Sequence, residues 1–363
     1  MPRLLIYISH LNYGGAEQSL LKLLPELSQY ATIDLVTDLK HSSLAKQFNL
    51  LENKKLHFIH LSHSSQSFVK ASGHLLSIIC FFLRVSLRGR YDYFLPLLLN
   101  NSFPLILFRI FSPRTRAFIW EHTIISRHYP KRYKWFYNLL IAHGIFLPST
   151  KSRDDLLNLF PSLKSRAHLL PNPCNLSSFP MHLQYDNLHI VTLVVIGRLS
   201  SEKQFDKSIH VLDLLLRRGY NINLHIYGEG PEFHQLTRLV VQFSLADYVT
   251  FYKFCSNPWA SVPANSLVLV LSKYESFSMV TLEALCLGLP VIVTPDSNSH
   301  LFDNHPLLSQ AASTSICDIV LAAESIFNHR TIEYVPHCDD ILYQHYSPSF
   351  IAKMLFSHLS SSL

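Results

Sequence analysis

The chain has 363 residues, with 31 Lys and Arg against 25 Asp and Glu, and six cysteines at scattered positions. That length sets an expectation of two domains. There is no internal repeat, long low-complexity tract, paired cysteine spacing or uninterrupted run of about 20 apolar residues, which argues against a repeat protein, a disulfide framework and a membrane-spanning chain. The cysteines, Cys80, Cys174, Cys255, Cys286, Cys317 and Cys338, are expected to be reduced and mostly buried. Charge is uneven: residues 1–180 hold 21 Lys and Arg against 9 Asp and Glu, and residues 181–363 hold 10 against 16. A basic surface invites nucleic acid as a partner, but no recognised binding module occurs.

Strands alternate with helices along the whole chain, which predicts parallel α/β sheets. In the first half the strands fall near 3–9, 32–38, 55–61, 91–98, 117–121 and 145–148. The segment LLIYISHLNYGGAEQSLLKLLPEL (4–27) reads as a buried strand, a turn at Gly14 and Gly15, and an amphipathic helix whose N-terminus those glycines leave open to a bound group. It lacks the GxGxxG dinucleotide pattern. His57, His60 and His63 have helical spacing on a strand and its exit, so no metal is expected there.

Two apolar stretches bear on membranes. HLLSIICFFLRVSLRGR (74–90) reads equally as a core helix and as an amphipathic helix at a bilayer surface, with Arg84, Arg88 and Arg90 toward headgroups. FLPLLLNNSFPLILFRIF (94–111) reads as core strand and helix. Next, RAFIWEHTIISRHYPKRYKWFY (116–137) ends a strand at Trp120 and delivers Glu121 and His122 to its carboxyl end, where open α/β sheets hold ligands. PNPCNLSSFPMHLQYDNLH (171–189) has three prolines and no periodicity, and reads as the linker.

The second half places strands near 191–197, 222–227, 249–254, 266–272 and 290–294. The first ends at Gly197, followed by Arg198 and Lys203 in a short loop before a helix; two cations there suit a diphosphate. The second runs into Gly228, Glu229 and Gly230, whose glycines admit close approach. In KYESFSMVTLEALCLGLPVIVT, Glu275 lies in a loop at the mouth of a helix and Glu283 lies about two turns along it, among apolar residues. The helix N-terminus suits phosphate, and a carboxylate on each side suits sugar hydroxyls, so the pattern points to a nucleotide sugar.

GGAE, GRLSSEK, YGEGPE and E-x7-E followed by ALCLGLPVIVT, in that order, resemble the retaining nucleotide-sugar glycosyltransferases of family 4 over most of residues 1–300. The resemblance implies the GT-B fold: two Rossmann-like parallel-sheet α/β domains facing a central cleft. The domains are expected at 1–175 (acceptor side) and 185–344 (nucleotide sugar), with the C-terminal helix, 345–363, packing back on the first. It implies a metal-independent, retaining, hexosyltransferase-like enzyme without cofactor, using a nucleoside diphosphate sugar, UDP ranked ahead of GDP. By this resemblance Glu275 holds the donor sugar and Glu283 the ribose. Gly15, with Gly14 beside it, meets the diphosphate; His122, beside Glu121, orients sugar and acceptor. Arg198 and Lys203, with Gly197, Gly228, Glu229 and the backbone at Ser276, Phe277, Ser278 and Met279, complete the expected site.

A basic acceptor domain suits anionic headgroups or a lipid-linked pyrophosphate. The acceptor is expected to be a glycan or lipid-linked glycan of bacterial surface polysaccharide or lipopolysaccharide. The start, MPRLLIYIS, has no signal-peptide pattern, so the expected location is the cytoplasm, with peripheral attachment to the inner membrane face. Two positions depart from the family: Gln204 stands where a glycine is usual, and PDSNSHLFDN (295–304) lacks the usual glycine pair. An inactive GT-B scaffold and a nucleotide-sugar epimerase remain as alternatives.

Overall fold

A computed structural model describes residues 1–9, 15–37, 47, 50–61, 68–129, 136–174, 190–255, 257–297, 300–328 and 340–361. The chain divides into two compact units, one of Met1–Cys174 with His345–Leu363 and one of Asn175–Gln344.

In the first unit, short runs of Leu, Ile, Val and Phe form seven strands, as expected where both faces of a parallel sheet are covered. They are β1 (Arg3–Ile8), β2 (Thr32–Thr37), β3 (Leu56–His60), β4 (Tyr93–Pro96), β5 (Arg116–Trp120), β6 (Gly144–Leu147) and β7 (Ala167–Leu169). Their order is β3-β2-β1-β4-β5-β6-β7, with every pairing parallel. The helices are α1 (Gly15–Leu27), α2 (Phe68–Arg88), α3 (Leu105–Phe111), α4 (Ile125–His128), α5 (Phe136–Ile141) and α6 (Thr150–Leu159). One apolar cluster lies on each face of the sheet: Leu4, Ile6 and Ile8 with α1, and Leu5 and Tyr7 with α2, α3 and α5.

The second unit repeats the plan with β8 (Thr192–Ile196), β9 (Asn223–Tyr227), β10 (Val249–Tyr252), β11 (Ser266–Val270), β12 (Val291–Val293) and β13 (Leu308–Gln310). The order is β10-β9-β8-β11-β12-β13, again all parallel. Its helices are α7 (Phe205–Arg217), α8 (Phe233–Gln242), α9 (Met279–Cys286) and α10 (Ile316–Asn328). In α7, Phe205, Ser208, Ile209, Leu212 and Leu215 recur at helical spacing and are buried. Strand order reverses between β1 and β4 in the first sheet and between β8 and β11 in the second.

The chain then forms α11 (Asp340–Tyr346) and α12 (Pro348–Ser360). Ser347 caps α12 by accepting from Phe350 N–H, with Pro348 in the first turn. Ile351, Ala352, Leu355 and Leu359 join the cluster of α1 residues Leu20, Leu23, Leu24 and Leu27. Each Ile or Leu so buried contributes roughly 1.5–3 kcal/mol. Arg116 closes the other end by donating to the Leu359 and Ser361 carbonyls, at 2.7 Å each.

Several expectations need correction. The three-residue edge strands β7 and β13 were not anticipated, because three residues are too short to show a period. The proline-rich segment is not linker from its start: Asn172 and Cys174 are buried, and Cys174 N–H donates to the Tyr346 carbonyl at 2.7 Å. The cysteines are not mostly buried: Cys80, Cys255 and Cys317 are exposed. The stretch 94–111 is core only in part, since Ile106, Ile110 and Phe111 face outward. His63 lies outside the described residues, and His57 is engaged by Asp34 at 2.9 Å.

Asp34, buried on β2, is the charged knot of the first sheet. It accepts from Tyr91 Oη, from Arg3 at 2.9 Å and lies 2.9 Å from His57 Nδ1. Burial alone would raise its pKa, but the Tyr91, His57 and Arg3 interactions outweigh that and hold it below the ordinary value. A depressed carboxylate contributes stability that is fully present above the unfolded pKa and lost as pH falls through the folded one. Wild type is therefore expected to lose stability below about pH 4. Asp34→Asn is expected to cost about 2–3 kcal/mol at pH 7 and to flatten that acid limb, as read by denaturant titration at several pH values.

Candidate functional site

The second sheet's reversal point carries a polar arrangement built from two loops. At the end of β8, Gly197 has φ +150° and leads into residues 198–204. That loop leans on the loop after β9: Leu199 N–H donates to the Glu229 carbonyl at 2.9 Å, and Glu232 N–H donates to the Leu199 carbonyl at 3.0 Å. A Cβ on Gly228 would fall 1.8 Å from the Gly197 oxygen, and one on Gly230 would fall 2.3 Å from the Leu199 oxygen. The close approach that these glycines allow is thus made by the neighbouring loop. Glu229 is exposed, and its backbone carbonyl makes the loop contact.

Within residues 198–204, Lys203 N–H donates to the Ser200 carbonyl at 2.9 Å, and Ser200 Oγ donates to Glu202 Oε1 at 2.6 Å. Lys273 N–H donates to the Glu202 carbonyl at 2.8 Å, fastening this loop to the one after β11. Gln204 begins α7 in the left-handed region, φ +51°. A glycine adopts that backbone without strain, so the substitution left the turn in place and added a cost.

Lys203 and Glu275 come from these two loops and meet: Nζ lies 2.5 Å from Oε1, and Ser272 Oγ donates to the same oxygen at 2.8 Å. Both side chains are largely shielded, at 28% and 14% exposure. Glu275 Oε2 makes no hydrogen bond among the described residues. Arg198 is exposed and forms no ion pair among them.

Beyond Glu275, Phe277 is buried and Ser278 adopts φ +62° as the residue before α9. Ser278 Oγ pairs with Thr281 Oγ1 at 2.6 Å and makes no side-chain cap bond to α9. The first-turn N–H groups, from Met279 onward, therefore keep their polarity for another acceptor. Ser276, between Glu275 and Phe277, is half-buried. Glu283, in the second turn, accepts from Trp259 Nε1 at 2.9 Å, and Trp259 is 2% exposed. Tyr227 and Tyr252, register partners at the ends of β9 and β10, stack with ring centroids 4.4 Å apart and planes at 7°.

The first unit's reversal point is built differently. Gly15 opens α1 with nothing within 4 Å of a Cβ placed on it. Gly14 lies outside the described residues. Glu121, after β5, is fully buried and wholly engaged. Its Oε2 accepts from Leu99 N–H at 2.7 Å and Tyr129 Oη at 3.1 Å. Its Oε1 accepts from His122 N–H, Thr123 N–H and Thr123 Oγ1 at 2.8–3.0 Å. Burial raises its pKa despite these bonds. Expected as a ligand contact, Glu121 instead clamps the loop after β4 to the loop after β5. Asn101 adds a tie to β1 by accepting from Ser9 N–H at 3.2 Å.

His122 is 7% exposed, with its ring 4.6 Å from that of Trp120. Burial pushes its pKa down to about 3, and the neighbouring Asn172 opposes that only partly. The imidazole is neutral at physiological pH, so it can orient a hydroxyl but carries no charge.

The expected residues thus fall into groups. Lys203 and Glu275 touch; Gly197, Gly228 and Glu229 frame the Lys203 loop; Ser276, Phe277 and Ser278 lead into α9, which carries Met279 and Glu283. Gly15, Glu121 and His122 belong to the other unit. Sequence reading missed Trp259, Asn172 and Asn101; a Trp seven residues past the end of β10 or an Asn among prolines gives no periodic signal. Among the described residues, no group of three or more His, Cys, Asp or Glu could hold a metal ion.

Residues 190–300 match the family model described as glycosyl transferases group 1. Lipopolysaccharide 1,6-galactosyltransferase of Escherichia coli K12 is 27% identical over 184 residues, 47% of this chain and about half, 49%, of that relative's length. The N-acetylgalactosamine-N,N'-diacetylbacillosaminyl-diphospho-undecaprenol 4-alpha-N-acetylgalactosaminyltransferase of Campylobacter jejuni is 25% identical over 308 residues, 81% of each chain. Among solved structures, the lipopolysaccharide outer core galactosyltransferase WaaB superposes with a TM-score of 0.75 at 15% identity, covering 100% of both chains. HepE of Anabaena, in complex with UDP and glucose, gives 0.78 at 14% with the same coverage. The fold is that of these GT-B proteins.

Gly228→Ala is expected to lower stability by about 3 kcal/mol or more, because its Cβ has no space and φ is +142°. Gln204→Gly is expected to raise it by about 0.5 kcal/mol. Thermal and denaturant unfolding measure both.

Proposed function

We propose that this chain, whose residues 190–300 match the model of the glycosyl transferases group 1 family, moves a sugar from a nucleoside diphosphate sugar to a glycan or lipid-linked glycan acceptor. The reaction retains anomeric configuration, needs no metal, and serves bacterial lipopolysaccharide or surface polysaccharide synthesis. The observation that carries this reading is the Lys203–Glu275 contact where the second sheet's strand order reverses, beside the start of α9. Crevices at such reversal points are where open α/β sheets hold nucleotides.

In this reading the bond from the sugar's anomeric carbon to the β-phosphate oxygen breaks, and the nucleoside diphosphate leaves. Arg198, Lys203 and the N–H groups at the start of α9 stabilise the charge that grows on it. The acceptor hydroxyl bonds to the anomeric carbon from the same face, and its proton passes to the departing phosphate oxygen. Glu275, with one oxygen fixed by Lys203 and Ser272, holds the donor sugar's hydroxyls. Glu283 holds the ribose, oriented by Trp259. Gly15 meets the diphosphate, neutral His122 orients sugar and acceptor, and Glu121 keeps the loop that bears His122 in place. UDP is the preferred nucleotide; HepE, which shares the fold, is solved with UDP and with UDP-glucose. The acceptor class is supported by the Campylobacter relative, whose name specifies a diphospho-undecaprenol substrate.

The test is proton NMR of UDP-, GDP- and ADP-sugars with enzyme, following the anomer first released to water or acceptor. UDP-sugars are expected to react with retention, about 100-fold more slowly in Glu275→Gln. Trp259→Phe is expected to raise KM about tenfold with a smaller change in kcat. An inverted product, or full turnover in Glu275→Gln, overturns the assignment; no donor turnover at all supports the scaffold alternative.

A further inference from the structure

The outer face of the first unit is a candidate interface unconnected with nucleotide binding. Helices α2, α3 and α5 lie side by side on one side of the sheet. Their inward residues, Ile78, Phe82, Leu105, Phe108 and Leu139, belong to one apolar cluster beneath them. Their outward residues are also apolar: Ile79, Leu87, Ile106, Ile110, Phe111, Tyr137 and Leu140 are all exposed. Leu87 and Ile110 are the most open, at 60% and 61%. Among the described residues, these are seven of the sixteen large apolar side chains that are exposed, gathered on helices of 21, 7 and 6 residues. Scattered exposed apolar residues are ordinary, but a concentration of this kind on adjacent helices marks an interaction surface.

Charge identifies what it meets. Arg84, Arg88, Arg90, Arg109 and Arg114 are exposed on or beside the same helices. Residues 68–91, 102–115 and 136–143 contain no Asp or Glu. Arginines alternating with Leu, Ile and Phe on helices that lie flat match a phospholipid surface. The guanidinium groups reach phosphates while the apolar side chains enter the acyl boundary. A second copy fits poorly, since a two-fold interface would set these arginines against each other. Among the described residues no helix is long and apolar enough to cross a membrane, so the contact lies along the bilayer surface.

We propose that the α2–α3–α5 face docks this protein on an anionic phospholipid bilayer. The proposal deepens the expectation of a peripheral contact by naming its surface, and it stands apart from the transfer reaction. The experiment is sedimentation of the full chain with vesicles of phosphatidylcholine alone or with about a third phosphatidylglycerol. The protein is expected to sediment with the mixed vesicles, less so as salt rises, and not with phosphatidylcholine alone. Ile110→Ser with Phe111→Ser, and separately Arg84→Ser with Arg88→Ser, are each expected to weaken binding about tenfold. Both should keep the wild-type melting temperature and nucleotide binding. Phe233→Ser with Val241→Ser, exposed apolar positions of α8, is expected to bind vesicles as wild type does. Failure to bind anionic vesicles, or wild-type binding by both face variants, overturns the proposal. So does a concentration-dependent dimer that the face variants dissolve, which would make this face a contact between copies. Unchanged nucleotide binding in every case leaves the transfer reading standing whichever way the vesicle result falls.

Discussion

The rest of the second unit's site depends on one contact, that of Lys203 with Glu275. It joins the loops that leave β8 and β11, the two parallel neighbours between which strand order reverses. Helices following such strands go to opposite sides of the sheet, so the loops diverge and leave a crevice. The ion pair spans that divergence, and Ser272 and the Lys273–Glu202 backbone bond reinforce it. A carboxylate fixed through one oxygen keeps its direction while offering the other. The lysine in turn is held beside the start of α9 without a long, freely rotating side chain to order on binding.

Two buried or shielded glutamates show how the same side chain can serve opposite ends. Glu121 spends both oxygens on five bonds within the first unit, and its chemistry is closed. It fixes the loops after β4 and β5 and so sets where His122 stands. Glu275 spends one oxygen and is partly open. Saturated hydrogen bonding separates a clamp from a contact more clearly than burial does, since burying an unpaired carboxylate is costly in either case.

The sheets were legible in the sequence because strands buried on both faces read as continuous apolar runs bounded by turn residues. The order of the motifs along the chain carried the fold class as well. The three-residue edge strands were not legible, and neither was the burial of Asn172 inside a proline-rich segment that has the composition of a linker. Glycine announced close approach at Gly228 and Gly230 but could not say to what; the partner is the backbone of Gly197 and Leu199. Trp259 gave no signal, since its importance lies in a contact with Glu283, 24 positions away. Gln204 illustrates the reverse case. The residue departs from the pattern, while the backbone keeps the left-handed turn that the pattern's glycine would serve. Residues 298 and 299, within the other departing loop, lie outside the described residues; at its start Ser297 bonds to Thr294 N–H and the Val270 carbonyl, tying β12 to β11.

The central claim is that the reversal point of the second sheet, with α9, binds a nucleoside diphosphate. Calorimetric titration of UDP, GDP and ADP into wild type and Glu283→Ala tests it most directly. The account predicts that UDP binds best and that the substitution weakens it about tenfold or more, by removing the acceptor for the ribose hydroxyls. Equal affinity in the variant, or no binding of any of the three nucleotides, would contradict it.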